Sequence, residues 1–497
     1  MSNTEKTPLI SIKDLHVKFR VRGRELHAIR GVSMDFYENE SVAIVGESGS
    51  GKSVFTKTFS GMLEENGFVS DGSILFHDDE LSEAYAPYGK AQRALVRFLH
   101  GLLNRYSRLE LGSVYYREIL QCRKRGERCA SLEKIYRKAI RTDITASQRA
   151  RNEVLAKEIY LCVARYHLTK RTELLFKLVR AFRDAMRIGL DLSDGEVLNQ
   201  IFDTVAFRVQ YIDEEAGKLH GRCIIDLAKI RYHRDWMQIR GSRIATVFQD
   251  PMTSLNPIVT IGKQIVSVII KHQGCSEAQA RERALELMRR VGIPDPEARF
   301  DDYPFQYSGG MRQRIVIAIA LCCRPRILIC DEPTTALDVT IQAQILKLLK
   351  DLQRELHFTI IFITHDLGVV ANIADRVAVL YAGQIVELGR VEEVFYDPRH
   401  PYTWALLSSL PQLAQREGEL YSITGTPPSL YNRIVGDAFA PRNPYCLKID
   451  TLKDAPMFDI TETHSAKTWL LDPRAAHIEK PQMIANIHER LMEAFNI

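Results

Sequence analysis

The chain has 497 residues, 45% of them apolar, and a formal net charge of +5. That length allows about two to four domains with a sizeable core. So small a charge, averaged over the chain, neither points to nucleic acid nor excludes it.

The N-terminus, MSNTEKTPLISIKDL, is polar and lacks the apolar stretch of a signal peptide. Alternation in ISIKDLHVKF and the run SVAIV predict strands over 9–45, followed by a glycine-rich loop and the helix-like SVFTKTFSGML. GSILF at 72–76 reads as a further short strand. From about 81 to 235 the character changes to helical spacing rich in Arg, Lys, Leu and Tyr. Leu175, Leu178, Val179, Phe182 and Met186 share one helical face. Ser193-Asp194-Gly195-Glu196 predicts a capping box opening a helix that contains Val197, Ile201 and Val205. This block carries about 30 Lys and Arg against about 19 Asp and Glu, more than the whole chain's excess. Its heptads are not sustained, which argues against a long coiled coil.

Strand and helix alternate again from RIATVF (243–248). RILIC (326–330) and FTIIFIT (358–364) are the continuous apolar runs of strands buried on both faces of a parallel sheet. After about 395 the chain turns proline-rich and irregular, which predicts a small C-terminal domain. No run reaches the roughly 18–20 apolar residues of a membrane span, so any membrane association has to come through a partner. The nine cysteines are scattered without a CxxC pair, as in a reducing cytosolic compartment.

Gly46-Glu47-Ser48-Gly49-Ser50-Gly51-Lys52-Ser53 fits GxxxxGK[ST] between a strand and a helix. Glycines let successive N–H groups turn inward onto phosphate oxygens, and the helix N-terminus adds its positive dipole end. Lys52 supplies a point charge for the β- and γ-phosphates, and Ser53 a hydroxyl for Mg²⁺. Asp331 and Glu332 end a buried strand, where ligands of parallel sheets bind. Asp331 can hold Mg²⁺ through water, and Glu332 can orient or deprotonate an attacking water. His365 follows a second strand and is placed to contact the γ-phosphate; alone, such a His is more often an ordinary loop residue.

Tyr307-Ser308-Gly309-Gly310-Met311-Arg312-Gln313 closely resembles the LSGGQ signature of ABC ATPases, and it lies about twenty residues before the Asp-Glu pair. The resemblance implies that Ser308, Gly309 and Gly310 face the γ-phosphate of nucleotide held by the opposite subunit's phosphate loop. It further implies that Phe19 stacks on adenine, Gln249 joins Mg²⁺ and links the site to membrane subunits, and Asp338 sits in the loop crossing the dimer interface. Phe19 also reads as a strand core residue. QDPMTSLNP, SGGMRQR and HPYTWALLSSLP (400–411) are similar to the ATPase subunits of oligopeptide/dipeptide-type importers. The resemblance covers roughly residues 8–80 and 236–475.

Two departures from the family pattern stand out. The basic block 81–235 stands where relatives have a short linker. Many relatives also carry four C-terminal cysteines resembling an iron–sulfur ligand set. Here the matching positions are Asp437, Asn443, Asp450 and Thr468, with Cys446 off register, so no iron–sulfur cluster is expected.

The expected architecture is α/β, a P-loop ABC ATPase core with an antiparallel β subdomain and a helical signature subdomain. The core spans 1–80 and 236–395, with the helical subdomain at about 256–320. A large basic helical insertion (81–235) and a C-terminal oligopeptide-transporter-type domain (396–497) complete it. The resemblance implies an ATPase energising peptide import at the cytoplasmic face of the inner membrane. Its expected partners are two permease subunits, a second and paralogous ATPase in a head-to-tail dimer, and, indirectly, a solute-binding protein. Nickel or another small solute is an alternative cargo. A soluble nucleic-acid-associated ABC ATPase is the reading from another class. The insertion's Cys122, Cys129, Cys162 and Cys223 lack the spacing of paired zinc ligands, so nucleic acid is not expected as a partner.

Overall fold

A computed structural model describes residues 8–166, 168–202, 205–231, 233–335, 337–409, 423–476, 478–481 and 484. Ala336 of TALDVT, the last two residues of HPYTWALLSSLP and the end of the C-terminal domain lie outside the described residues. The chain forms two compact units. One comprises residues up to Ser73 with those from Arg231 onward, and the other is Ile74–Ile230.

The first unit is organised by an eight-stranded sheet. From edge to edge it runs Phe458–Asp459, Ser465–Ala466, Gln384–Arg390, Arg376–Tyr381, Ser41–Val45, Thr359–Ile363, Ile327–Asp331 and Ile244–Val247. The five strands from Arg376–Tyr381 to Ile244–Val247 are parallel; the other three add antiparallel. Ser41–Val45 and Thr359–Ile363 are buried at every position, as the apolar run after the first residue of each requires. The helices Ile261–Gln273, Glu277–Arg290, Gly309–Leu321 and Val339–Leu356 share a hydrophobic core with the strands carrying Leu328, Ile360 and Phe362. Ile10–Val21 and Arg24–Phe36 form an antiparallel hairpin in which Phe19 faces Leu26.

The second unit contains the helices Lys90–Glu110, Ser113–Lys124, Ala130–Ala139, Ala146–Ala164 and Leu168–Ile188. On the last of these, Leu178, Val179, Phe182 and Met186 are buried as their spacing predicts, together with Leu174; Leu175 is half-buried. The helix opening at Gly195 ends at Ile201, so Val205 lies beyond it and not inside it. The unit is also not purely helical. Glu83–Pro87, Phe207–Glu215 and Lys218–Asp226 are strands, and Leu75 and Phe76 pair with the last of them. Polar residues dominate the hairpin FRVQYIDEE–KLHGRCIID, which hides its alternation. Its two-residue turn has both Ala216 (φ 46°) and Gly217 (φ 73°) in the left-handed region, matching the strands' twist.

The C-terminal stretch shares its core with the first unit's sheet. Tyr402, Trp404 and Phe439 pack with Ala43, Val45, Val379 and Tyr381. The four positions that the family resemblance matches to cysteines act here as local caps. Asp437 accepts from the Phe439 N–H (2.9 Å), Asn443 from Tyr445 (2.9 Å), Asp450 from Leu447 (2.6 Å) and Thr468 from Leu470 (3.3 Å). These side chains offer no thiolates and do not fit an iron–sulfur cluster.

Burial pushes the Asp437 carboxyl up to about 6, against the opposing pull of the Phe439 N–H. Its ordinary value is near 3.9, so the folded state retains the proton over roughly pH 4 to 6, and stability falls as pH rises through that window. Asp437→Asn keeps an acceptor without the buried charge. It is expected to raise the melting temperature at pH 7.5, with the gain vanishing towards pH 4; thermal unfolding at the two pH values checks the trend.

Candidate active site

The phosphate loop leaves the central strand Ser41–Val45 and enters the helix Lys52–Phe59. Gly46 has φ 150°, and a Cβ there would lie 2.1 Å from the Leu380 carbonyl oxygen, so no larger residue fits. Lys52 Nζ donates to the carbonyls of Gly46 (2.8 Å) and Glu47 (3.0 Å). Burial lowers its pKa, countered by the nearby charges of Glu332, Asp331 and Glu47.

Parallel pairing sets Asp331 beside Ile363 and Ile363 beside Ile44, so three strand ends lie level. Ser53 Oγ donates to Asp331 Oδ1 at 3.1 Å. Burial raises the Asp331 pKa, the Ser53 hydroxyl lowers it, and the Glu332 charge adds to the rise. Glu332 adopts φ 47°, a left-handed conformation costly for a residue with a Cβ, and its N–H donates to Ile363 O at 2.9 Å.

Three side chains hold the Glu332 carboxylate. Gln249 Nε2 donates to Oε2 at 3.2 Å, Thr335 Oγ1 donates to the same oxygen at 3.1 Å, and His365 Nδ1 lies 3.2 Å from Oε1. A cavity of about 570 Å³ covers the loop, lined among others by Phe19, Ser48, Gly49, Lys52, Gln249 and Glu332. Phe19 is 8% exposed, so it serves the core and the cavity wall at once. Ser53, Asp331 and Gln249 present oxygen donors suited to Mg²⁺, which is bound through one or two carboxylates beside phosphate oxygens and waters.

Ser308, Gly309, Gly310 and Asp338 do not line this cavity. Ser308 caps the helix Gly309–Leu321 and Asp338 caps Val339–Leu356. The two helix starts adjoin, since a Cβ on Gly310 would meet Ile341 at 2.8 Å. Ser308, Gly309 and Asp338 are exposed.

Several residues at the site carry no sequence signal of their own. Thr335 lies in a common string after the Asp-Glu pair. Leu430 joins the cavity lining from the far end of the chain, and Tyr402 Oη accepts from the Glu47 N–H at 2.8 Å. Only HPYTWALL and FAPR mark that region in sequence.

A phosphate loop on the central parallel strand, facing two carboxylates at the end of the next strand but one, defines a P-loop ATPase. The ABC transporter family model matches residues 29–166 and 210–335, and the model of the oligopeptide/dipeptide transporter C-terminal region matches 386–449. The chain is similar to the oligopeptide transport ATP-binding protein AmiE of Streptococcus pneumoniae, 46% identical over 98% of this chain and 97% of that one. The dipeptide transport ATP-binding protein DppD of Lactococcus lactis is 39% identical over 95% and 93%. The oligopeptide transport ATP-binding protein OppD of Bacillus subtilis is 57% identical over 53% and 74%. The chain belongs to the ABC transporter family, as an ATP-binding subunit with ATPase activity. The inserted block is not peculiar to this chain, because the matches to AmiE and DppD run through nearly all of it.

Thr335→Val removes one of the three partners of the Glu332 carboxylate. ATPase kcat is expected to fall by about three- to tenfold, the net contribution of one solvent-exposed hydrogen bond. KM for ATP should stay within about twofold, and steady-state kinetics separates the two.

Proposed function

We propose that this protein energises the import of oligopeptides or dipeptides, as the ATP-hydrolysing subunit of a membrane transporter. The observation that carries the catalytic part is the Glu332 carboxylate, held by Gln249, Thr335 and His365 at the end of a strand level with the phosphate loop. The near full-length likeness to a protein named for oligopeptide transport supports the cargo class.

In this reading Lys52 and the inward N–H groups of residues 48–53 bind the β- and γ-phosphates, and Phe19 lies against adenine. Ser53, Asp331 and Gln249 would hold Mg²⁺, which when bound would neutralise phosphate charge. Glu332 orients a water for in-line attack on the γ-phosphorus and takes its proton as the bond to the β–γ bridging oxygen breaks. His365 contacts the γ-phosphate and, through Glu332, reports its loss. The exposed starts of the helices behind Ser308 and Asp338 are free to meet nucleotide on a second, paralogous ATPase subunit in a head-to-tail dimer.

No described helix is long and apolar enough to cross a membrane. We assign the protein to the cytoplasmic face, docked on two permease subunits that receive solute from a binding protein. Met252 (59% exposed), Ile258 (81%) and Phe305 (70%) follow or neighbour the Gln249 segment and offer apolar anchors for such subunits. Arg312 ties two of them together, through Met252 Sδ and the Phe305 carbonyl.

Glu332→Gln is expected to leave ATP affinity within about threefold of wild type and to lower kcat by at least about a hundredfold, the usual contribution of a general base. Nucleotide titration and steady-state ATPase of the assembled complex test this; near-normal turnover would remove Glu332 from the mechanism.

We further assign Ile74–Ile230 as an appended domain outside the catalytic machinery, serving as a docking surface for a partner or for anionic headgroups. Replacing it with a short Gly/Ser linker is expected to leave ATP binding intact while reducing transport. A chain that cannot fold would instead place this block in the core.

A further inference from the structure

Glu47 is the second residue of the phosphate loop, and two side chains outside the loop hold it through three hydrogen bonds. Its N–H donates to Tyr402 Oη at 2.8 Å. Its carboxylate receives both terminal nitrogens of Arg442, at 2.8 Å to Oε2 and 3.0 Å to Oε1. This is the paired fork geometry that only a guanidinium supplies. The Arg442 side chain is 5% exposed and that of Glu47 24%. The bridge is thus largely shielded from water and weakly screened by salt.

Arg442 is itself fixed from every side. Nη1 donates to Tyr381 Oη (3.1 Å), and Nε to the Thr424 carbonyl (3.0 Å). The Tyr381 and Phe439 rings each lie 5.9 Å from its guanidinium, and both pack against Tyr402. The Glu47 hydrogen bonds raise its pKa, so the guanidinium stays charged. The turn carrying it is closed by the caps at Asp437 and Asn443.

Glu47 takes part in none of the phosphate-facing donors through its N–H, because that N–H points at Tyr402. Its role is therefore to anchor the loop from behind. A loop that gathers several N–H dipoles towards one point is electrostatically unfavourable and conformationally costly to hold open. Binding is tighter when that cost is met beforehand by packing.

We propose that Arg442 is a positioning residue for the ATPase reaction: acting through Glu47, it holds the phosphate loop in its nucleotide-binding shape. Nucleotide affinity thereby depends on the folded C-terminal region, although that region is almost 400 residues away in sequence. Leu430 strengthens the link, since it lines the nucleotide cavity and its carbonyl accepts from the His27 N–H at 2.9 Å. The inference rests on the ATP site proposed above.

The test uses the full chain in its assembled complex, with ATP and Mg²⁺. Arg442→Met is expected to raise both KM and the nucleotide dissociation constant about tenfold, with kcat within about threefold of wild type. Arg442→Lys, which keeps the charge but loses the fork, should recover only part of the affinity. Glu47→Gln should weaken binding similarly, and the double variant Glu47→Gln/Arg442→Met should be no worse than either single, as for two residues acting through one contact. Wild-type KM in Arg442→Met would overturn the proposal. So would full additivity in the double variant, or weak binding in Arg442→Met with normal binding in Glu47→Gln. If Arg442→Met does not fold, Arg442→Lys and Glu47→Gln carry the same comparison. Failure of the wild-type protein to bind ATP would sink the site assignment itself, an outcome distinct from these.

Discussion

Everything at the site depends on the parallel pairing of the strands on either side of Thr359–Ile363. Parallel strands in register end at one level, and here those ends are Ile44, Asp331 and Ile363. The phosphate loop, two carboxylates and a histidine therefore emerge together, although they come from three distant stretches of chain. Asp331 and Glu332 are adjacent like charges in a partly buried place. The left-handed turn at Glu332 swings its carboxylate to Gln249, Thr335 and His365, while Asp331 turns to Ser53. Separate partner sets for neighbouring carboxylates let one serve a cation and the other a water.

The C-terminal region is built into this arrangement rather than hung beside it. Ser465–Ala466 extends the same sheet, and Tyr402 and Phe439 complete the core behind the phosphate loop. A buried carboxylate, Glu387, accepts from the N–H groups of Arg399 and His400 and pairs with His464, tying the start of the helix Pro401–Ser408 to the edge strands. At Asp437, Asn443, Asp450 and Thr468, short-range caps close the turns. The turn that carries Arg442 thus keeps its shape through hydrogen bonds among its own residues.

The inserted unit Ile74–Ile230 follows a different logic. Its positive excess is partly neutralised within the unit, by Arg151 with Glu110, Arg93 with Glu214, Arg123 with Glu133 and Arg108 with Asp143. Only the first of these is well shielded; the others are exposed and contribute little to stability. Its cohesion comes from the buried faces of the long helices and from Ala146–Ala164, whose Tyr160 and Cys162 bond to the backbone of Pro87 and Val209. The helix Ala130–Ala139 buries none of its residues fully and carries Lys134, Arg137 and Lys138, so much of this unit's charge faces outward.

The sequence by itself determined the elements whose physics is local. GxxxxGK[ST] needs only a strand, a turn and a helix start, and the apolar runs within RILIC and FTIIFIT announce buried strands. The phosphate loop and the Asp331-Glu332 strand end were legible for that reason, whereas Phe19, Gln249 and the role of His365 came from the family resemblance. The hairpin Phe207–Asp226 was not legible, because its polar faces mask the alternation and its turn depends on Ala216 adopting a left-handed shape. Nor could local pattern place the signature residues Ser308–Gly310 away from their own chain's cavity, or bring Thr335 onto Glu332. The contact between Arg442 and Glu47 was beyond reach of any local reading. It joins a single arginine in an irregular stretch to a loop at the other end of the chain. Only the closing of the sheet and its aromatic core brings the two within hydrogen-bonding distance.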